Sequence, residues 1–372
     1  MQRPAPGAVL GRTPGRFPVC CRGLPFPSPV AEVRLAGPRR VVTLLASGTE
    51  IVSALDCGDR LVGRSHECDH PPWVLRLPSV TAPRVDPSRS SIDIDRSVRG
   101  LVSQALSVYT VDTEQLAALA PDLLVTQVQC EVCAVSLRDV EDAVRAGLPS
   151  QPAIVSMKPD SLADVWADMR AIAAALGVPE RGVQLVTRLR HRLRGLAERT
   201  KGRTRPRIAC IEWIEPLMVA GNWTPELFAL AGAEDVLGAA GRHAGAIRFE
   251  QLVAADPDLI WVTPCGFGLE RTRAEMGALE RLPGWGALRA VRDGNVFLGD
   301  GNALFNRPGP RVVEAAECLA EAMHPGAFRF GHEHDGWERW TAGATPAGAG
   351  RAAAGSTAAP SAATGPTPRG LQ

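Results

Sequence analysis

The residues best suited to chemistry are soft ligands that recur just after apolar runs. Cys130 and Cys133 sit in "QVQCEVCAV", His66 and Cys68 in "SHECDHPP", and Cys265 in "VTPCGFG". C-x-x-C spacing serves zinc sites and redox couples alike. Together His66, Cys68, Cys130, Cys133 and Cys265 offer enough donors for a tetrahedral zinc or another thiophilic metal. A Cys130–Cys133 disulfide is the redox alternative, and it would want a thiolate activated at a helix N-terminus. Packing is the third reading, because reduced cysteine is a small and often buried side chain. Cys57, Cys210 and Cys318 fit packing, since they fall on apolar faces of expected helices or a strand. Enzyme chemistry finds no foothold. The chain has no G-x-S-x-G, no P-loop and no G-x-G-x-x-G after a strand. Glu212 and Glu215 flank Trp213 without an acid–base partner at a defined spacing, and His70, His324, His332 and His334 suggest no role.

These ligands need elements to hold them. Short apolar runs at 41–46, 61–64, 123–127, 208–213, 259–263 and 296–298 alternate with helical patterns, which predicts parallel sheets and an α/β class. Self-comparison shows a repeat: "TEQLAALAPDLLVTQ" (113–127) and "FEQLVAADPDLIWVT" (249–263) share Glu-Gln-Leu, then Pro-Asp-Leu, then an apolar strand. Two lobes of like topology follow. Between them, residues 160–201 keep a helical apolar face through Leu162, Val165, Met169, Ile172 and Leu176. After a break at Gly177 and Pro179 that face resumes at Val186, Leu189, Leu193 and Leu196. In open parallel sheets the ligand crevice lies beyond the carboxyl ends of the strands. That rule brings His66, Glu67, Cys68, Cys130, Cys133 and Cys265 to one cleft, and adds Trp213, Glu215, Phe305, Asn306 and Arg307.

The chain has 372 residues, enough for two ordinary domains, and 41 basic against 40 acidic residues give a net charge of +1. That balance creates no field for nucleic acid or an anionic membrane, so a small ligand or a protein partner is expected. Nine cysteines in a chain of this length are an odd and sparse set, read mostly as reduced thiols. No apolar run reaches the roughly eighteen residues that suggest a membrane span. The first forty residues carry seven arginines against the single acid Glu32, and no apolar stretch of a secretory signal follows. The expected organisation is a disordered tail (1–39), an N-terminal α/β lobe (40–159), linking helices (160–204) and a C-terminal α/β lobe (205–326). A disordered Ala/Gly/Pro-rich tail (341–372) closes the chain.

Four features together resemble the cobalamin- and iron-chelate-binding substrate-binding proteins of ABC importers. They are "RVVTLLASGTEIVSALDCGDRLVGRSHECDHPP", "EQLAALAPDLLVT", the helical middle, and "LFNRPGPRVVEAAECLAEAMHP", covering residues 40–325. The resemblance implies two Rossmann-like lobes joined by a long helix, a ligand held between them, and little hinge motion. It also implies permease docking through one glutamate per lobe, at positions Glu114 and Glu250. Read from the residues alone, each is a first-turn acid that complements the helix dipole or closes a capping box. Where the cobalamin binder has a tyrosine in its "SYSDYPP"-like loop, this chain has Glu67. The ligand-facing set is then His66, Glu67, Cys68, Trp213, Trp223, Phe267 and Phe305. Two functions compete. One is a monomeric binding protein, not an enzyme, that captures a cobalamin-type corrinoid or metal chelate for an importer. The other is an intracellular metal-binding protein of the same fold, with zinc held by the Cys/His set in the cleft. The chain as it reads, without an export signal, suggests the cytoplasm; the family implies a periplasmic or other extracytoplasmic site.

Overall fold

A computed structural model describes residues 37–104, 108–128, 150–243 and 245–341. Both expected tails fall largely outside these residues, as do Cys130 and Cys133.

In the first lobe β1 (Val41–Thr43) lies between β2 (Leu61–Arg64) and β5 (Leu123–Gln127), and β6 (Ala153–Met157) completes a four-stranded sheet of order β2-β1-β5-β6. All its pairings are parallel. Every residue of β5 is buried, as a strand covered on both faces requires. Helix α1 (Ala46–Ala54) follows β1, and a small antiparallel pair, β3 (Thr81–Pro83) with β4 (Tyr109–Val111), flanks α2 (Ser91–Ser103). The second lobe is built on parallel β7 (Arg207–Trp213), β11 (Leu259–Val262) and β12 (Val296–Gly299). Antiparallel β8 (Met218–Val219) and β10 (Gly245–Ala246) extend it on one side, with β9 (Glu234–Asp235) beside β7. On the other side β13 (Trp337–Arg339) pairs antiparallel with β12, so this sheet runs past the boundary at 326 expected from sequence.

The repeat serves one structural purpose in both lobes. Helix α3 (Thr113–Leu119) and helix α7 (Phe249–Ala255) each end on a left-handed residue, Ala120 (φ 40°) and Asp256 (φ 36°). The aspartate two residues later then pins the start of the neighbouring strand. Asp122 accepts from the Arg39 and Arg40 N–H groups at 2.8 and 2.9 Å, and Asp258 accepts from the Arg207 N–H at 2.9 Å. Pro-Asp-Leu is thus a strand-aligning device.

Between the lobes the single long helix is two. Helix α4 (Leu162–Ala175) starts at the Ser161 cap, whose hydroxyl accepts from the Asp164 N–H. Gly177 at φ 73° ends it, and Pro179 opens α5 (Pro179–Thr200), where a missing N–H costs nothing. The two cross closely at Gly182, where a Cβ would lie 2.5 Å from that of Ala173. Their apolar faces join one core with α1, Trp223 and Phe228 of the second lobe, and Val312–Met323, which is helix α9. One apolar core is thus shared by both lobes and the helices between them.

Candidate functional site

The strand ends face each other across the lobes, as the crevice rule requires. They meet through an ionic network. Arg307, after β12, donates to Glu50 of α1 at 3.0 Å and to Asp69 at 2.5 and 3.0 Å. Arg311 donates to the same Glu50 at 3.0 and 2.6 Å. Glu50 and Arg307 are buried, with side chains 2% and 6% exposed. Burial opposes the Arg307 charge, but Asp69 and Glu50 outweigh it and raise its pKa further. The pairing joins residues 257 positions apart, so no local pattern in the sequence announces it.

On the first lobe the loop after β2 presents His66 and Glu67. The His66 N–H and Nδ1 both meet the Thr81 hydroxyl, at 3.0 and 2.7 Å, and Thr81 in turn donates to Ser65. Burial, then the charge of Arg64, push the His66 pKa down, so the ring is neutral near pH 7. The Tyr109 hydroxyl donates to the Glu67 carboxylate at 2.8 Å, and its ring lies 5.1 Å from the His66 ring. Burial raises the Glu67 pKa, against the Tyr109 bond and the Arg307 charge. Sequence reasoning missed Tyr109, the chain's one tyrosine, although an isolated aromatic on a short edge strand was the available signal.

On the second lobe half-buried Trp213 ends β7, its Nε1–H donating to the Glu215 carbonyl at 3.0 Å. Its ring packs 5.3 Å from Phe267, and the Arg271 guanidinium covers Phe267 at 4.8 Å. Arg271, on helix α8 (Leu269–Glu280), also donates to the backbone carbonyls of Ser88 and Arg89 in the first lobe and to Glu275. Ser91 at the start of α2 donates to Glu275 at 3.2 Å, so the lobes meet a second time here.

Several expected site residues sit elsewhere. Phe305 has 0% exposure: the π-helical turn Gly301–Phe305 rolls its ring onto Trp261, 5.1 Å away. Gly299 makes the space, since a Cβ there would lie 2.8 Å from the Phe305 ring. Trp223 precedes helix α6 (Thr224–Leu230) and lies within the shared core at 5% exposure. Phe267 is 4% exposed, so it backs Trp213 and does not itself form the open wall. Cys68 is fully buried under α1, its Sγ accepting from Thr49 Oγ1 at 2.9 Å, and burial raises its pKa. Cys265 is a half-buried free thiol. Among the described residues no three His, Cys, Asp or Glu side chains gather in a way that could hold a metal. The remaining donors, Cys130 and Cys133, lie outside those residues.

Glu114 and Glu250 are both exposed in first turns. Neither glutamate forms the cap. Asp112 caps α3 by accepting from the Gln115 N–H, and Gln251 accepts from the Arg248 N–H at α7.

Two lobes, a shared helical core and a cleft at opposed strand ends define a ligand-binding protein. Residues 41–303 match the periplasmic binding protein family, and the chain belongs to it. It is a binding protein of the kind that serves transporters, not an enzyme. It is 25% identical over 302 residues to the uncharacterized ABC transporter substrate-binding lipoprotein YvrC of Bacillus subtilis, covering 78% of this chain and 82% of that one. A periplasmic heme binding protein from Pseudomonas aeruginosa has the same fold, with TM-score 0.59, 24% identity, and coverage of 78% of this chain and 94% of that one. The periplasmic vitamin B12 binding protein of Vibrio cholerae superposes with TM-score 0.56 at 21% identity, covering 77% and 97%. No helix among the described residues is long and apolar enough to cross a membrane.

Proposed function

We propose that this protein captures a corrinoid of the cobalamin type, or a comparable planar metal chelate, between its lobes and hands it to an ABC-type importer outside the cytoplasm. The supporting observation is an aromatic cluster beside a strand end on each lobe. Trp213, backed by Phe267, stands on one lobe, and the His66–Tyr109 pair with Glu67 stands on the other. Apolar walls with a few oriented polar groups are what a large ring needs. Exposed Glu114 and Glu250, free of capping duties, occupy matching places on the two lobes and suit contacts with basic residues of a permease. A resident zinc is less favoured, because Cys68 is engaged by Thr49 beneath α1.

Calorimetric titration of the reduced protein with cyanocobalamin, cobinamide, hemin and zinc tests the reading. Saturable heat with a macrocycle is expected, and Trp213→Ala should weaken it. Heat with zinc alone would overturn the proposal in favour of a metal-binding protein of this fold.

A further inference from the structure

The relatives include binders of both vitamin B12 and heme, macrocycles of similar breadth but opposite edge chemistry. A corrin carries neutral amide side chains, whereas a heme carries two ionised propionates. We propose, resting on the ligand class given above, that Glu67 is a specificity-determining residue that favours amide-edged macrocycles and repels carboxylate-edged ones. Three observations carry this.

The first is position. Glu67 belongs to the loop at the end of β2, and its own carbonyl accepts from Arg307 of the opposite lobe at 3.3 Å, which seats the residue where the lobes meet. The second is orientation. Tyr109 holds the carboxylate by one oxygen at 2.8 Å, beside the His66 ring, so its other oxygen is available to accept from a ligand N–H. The third is that, among the described residues, no guanidinium bonds the Glu67 carboxylate directly, although the Arg307 charge acts on it. Arg307 spends its guanidinium on Glu50, Asp69, Asn302 and the Glu67 backbone, with no bond to the Glu67 carboxylate. Arg64 donates to the carbonyls of Leu77, Ser65 and His66. Glu50 and Asp69 match Arg307 and Arg311 in number, and no salt bridge among the described residues reaches the Glu67 carboxylate.

A primary amide brings N–H donors that a carboxylate accepts well, whereas a ligand carboxylate brings like charge into a poorly solvated site. A site built to bond one group discriminates strongly against an analogue that leaves its polar atoms unmatched.

The test uses ligands that differ only in this feature: cyanocobalamin and its monocarboxylic acids, made by mild hydrolysis of peripheral amides, with hemin as a third probe. Calorimetry on the unaltered protein should show cyanocobalamin binding at least about tenfold tighter than the acid that places its carboxylate at Glu67, and tighter than hemin. Glu67→Gln keeps the shape and the Tyr109 bond, and should bring the acids and hemin closer to cyanocobalamin by a similar factor. Equal affinity for amide and acid forms in the unaltered protein, or a ratio unmoved by Glu67→Gln, would overturn charge selection while leaving macrocycle binding intact. Failure of all three macrocycles to bind folded protein would overturn the binding reading and this assignment together.

Discussion

Replacing Glu50 by glutamine should cost roughly 3 to 5 kcal/mol of stability, the range found when one partner of a buried ion pair is removed. The side chain keeps its volume, so no cavity term enters, and the loss isolates the charge. What remains is Arg307, 6% exposed, still paired with Asp69, which is 43% exposed, and Arg311, 18% exposed, without the Glu50 bonds that hold it. Two guanidiniums left side by side away from water also repel each other. The value should therefore exceed that of a surface pair, about 1 kcal/mol or less. Equilibrium urea unfolding gives the loss directly from the midpoint and slope, and small-angle scattering on the same variant reports whether the lobes stay together. Acid should act on the same contact. Burial works against the Asp69 carboxylate, but Arg307 and Arg311 outweigh it and hold its pKa below the ordinary value. Its contribution is present above the unfolded carboxylate pKa and is lost as pH falls through the folded one. A Glu50→Leu, Arg307→Met double variant should recover much of the loss, since well-packed apolar pairs replace buried ion pairs at little cost. A loss of about 1 kcal/mol or less for Glu50→Gln would refute the view that this network is a dry interlobe clamp.

A second buried acid should give the opposite pH signature: burial pushes Glu212 up to about 8, against bonds from the Thr224 hydroxyl and the Gly221 N–H. The folded state then holds the extra proton, so stability falls as pH rises from about 4.5 towards about 8; Glu212→Gln should raise the urea midpoint near pH 8 and not near pH 5. Charge reversal at both Glu114 and Glu250 should abolish ligand-dependent stimulation of the cognate importer's ATPase while leaving ligand affinity unchanged, because like charges facing across an interface cost several kcal/mol. Unchanged stimulation would remove the docking assignment.

The sequence by itself determined what depends on short-range pattern. Strand–helix alternation, the Pro-Asp-Leu repeat and the apolar stripes of α4 and α5 are set by periodicities of two and 3.6 residues, and they yielded the α/β class, the two lobes and the helical bridge. Even the break between α4 and α5 was legible, because Gly177 and Pro179 act through their own backbone restrictions. Only the tertiary structure decided which residues after each strand look into the cleft. Strand order places a loop at the crevice, but the first turn beyond the strand sets the direction of each side chain. One π-helical turn beside Gly299 sends Phe305 into the core, while Arg307, two residues on, reaches Glu50. Cys68 and Glu67 are neighbours in one loop, yet the first is sealed beneath α1 and the second is only partly buried. Tyr109 and Glu67 are 42 positions apart, and Glu50 and Arg307 are 257 apart. Such contacts have no sequence period, because they arise from the packing of whole lobes and from the desolvation that packing imposes on charges.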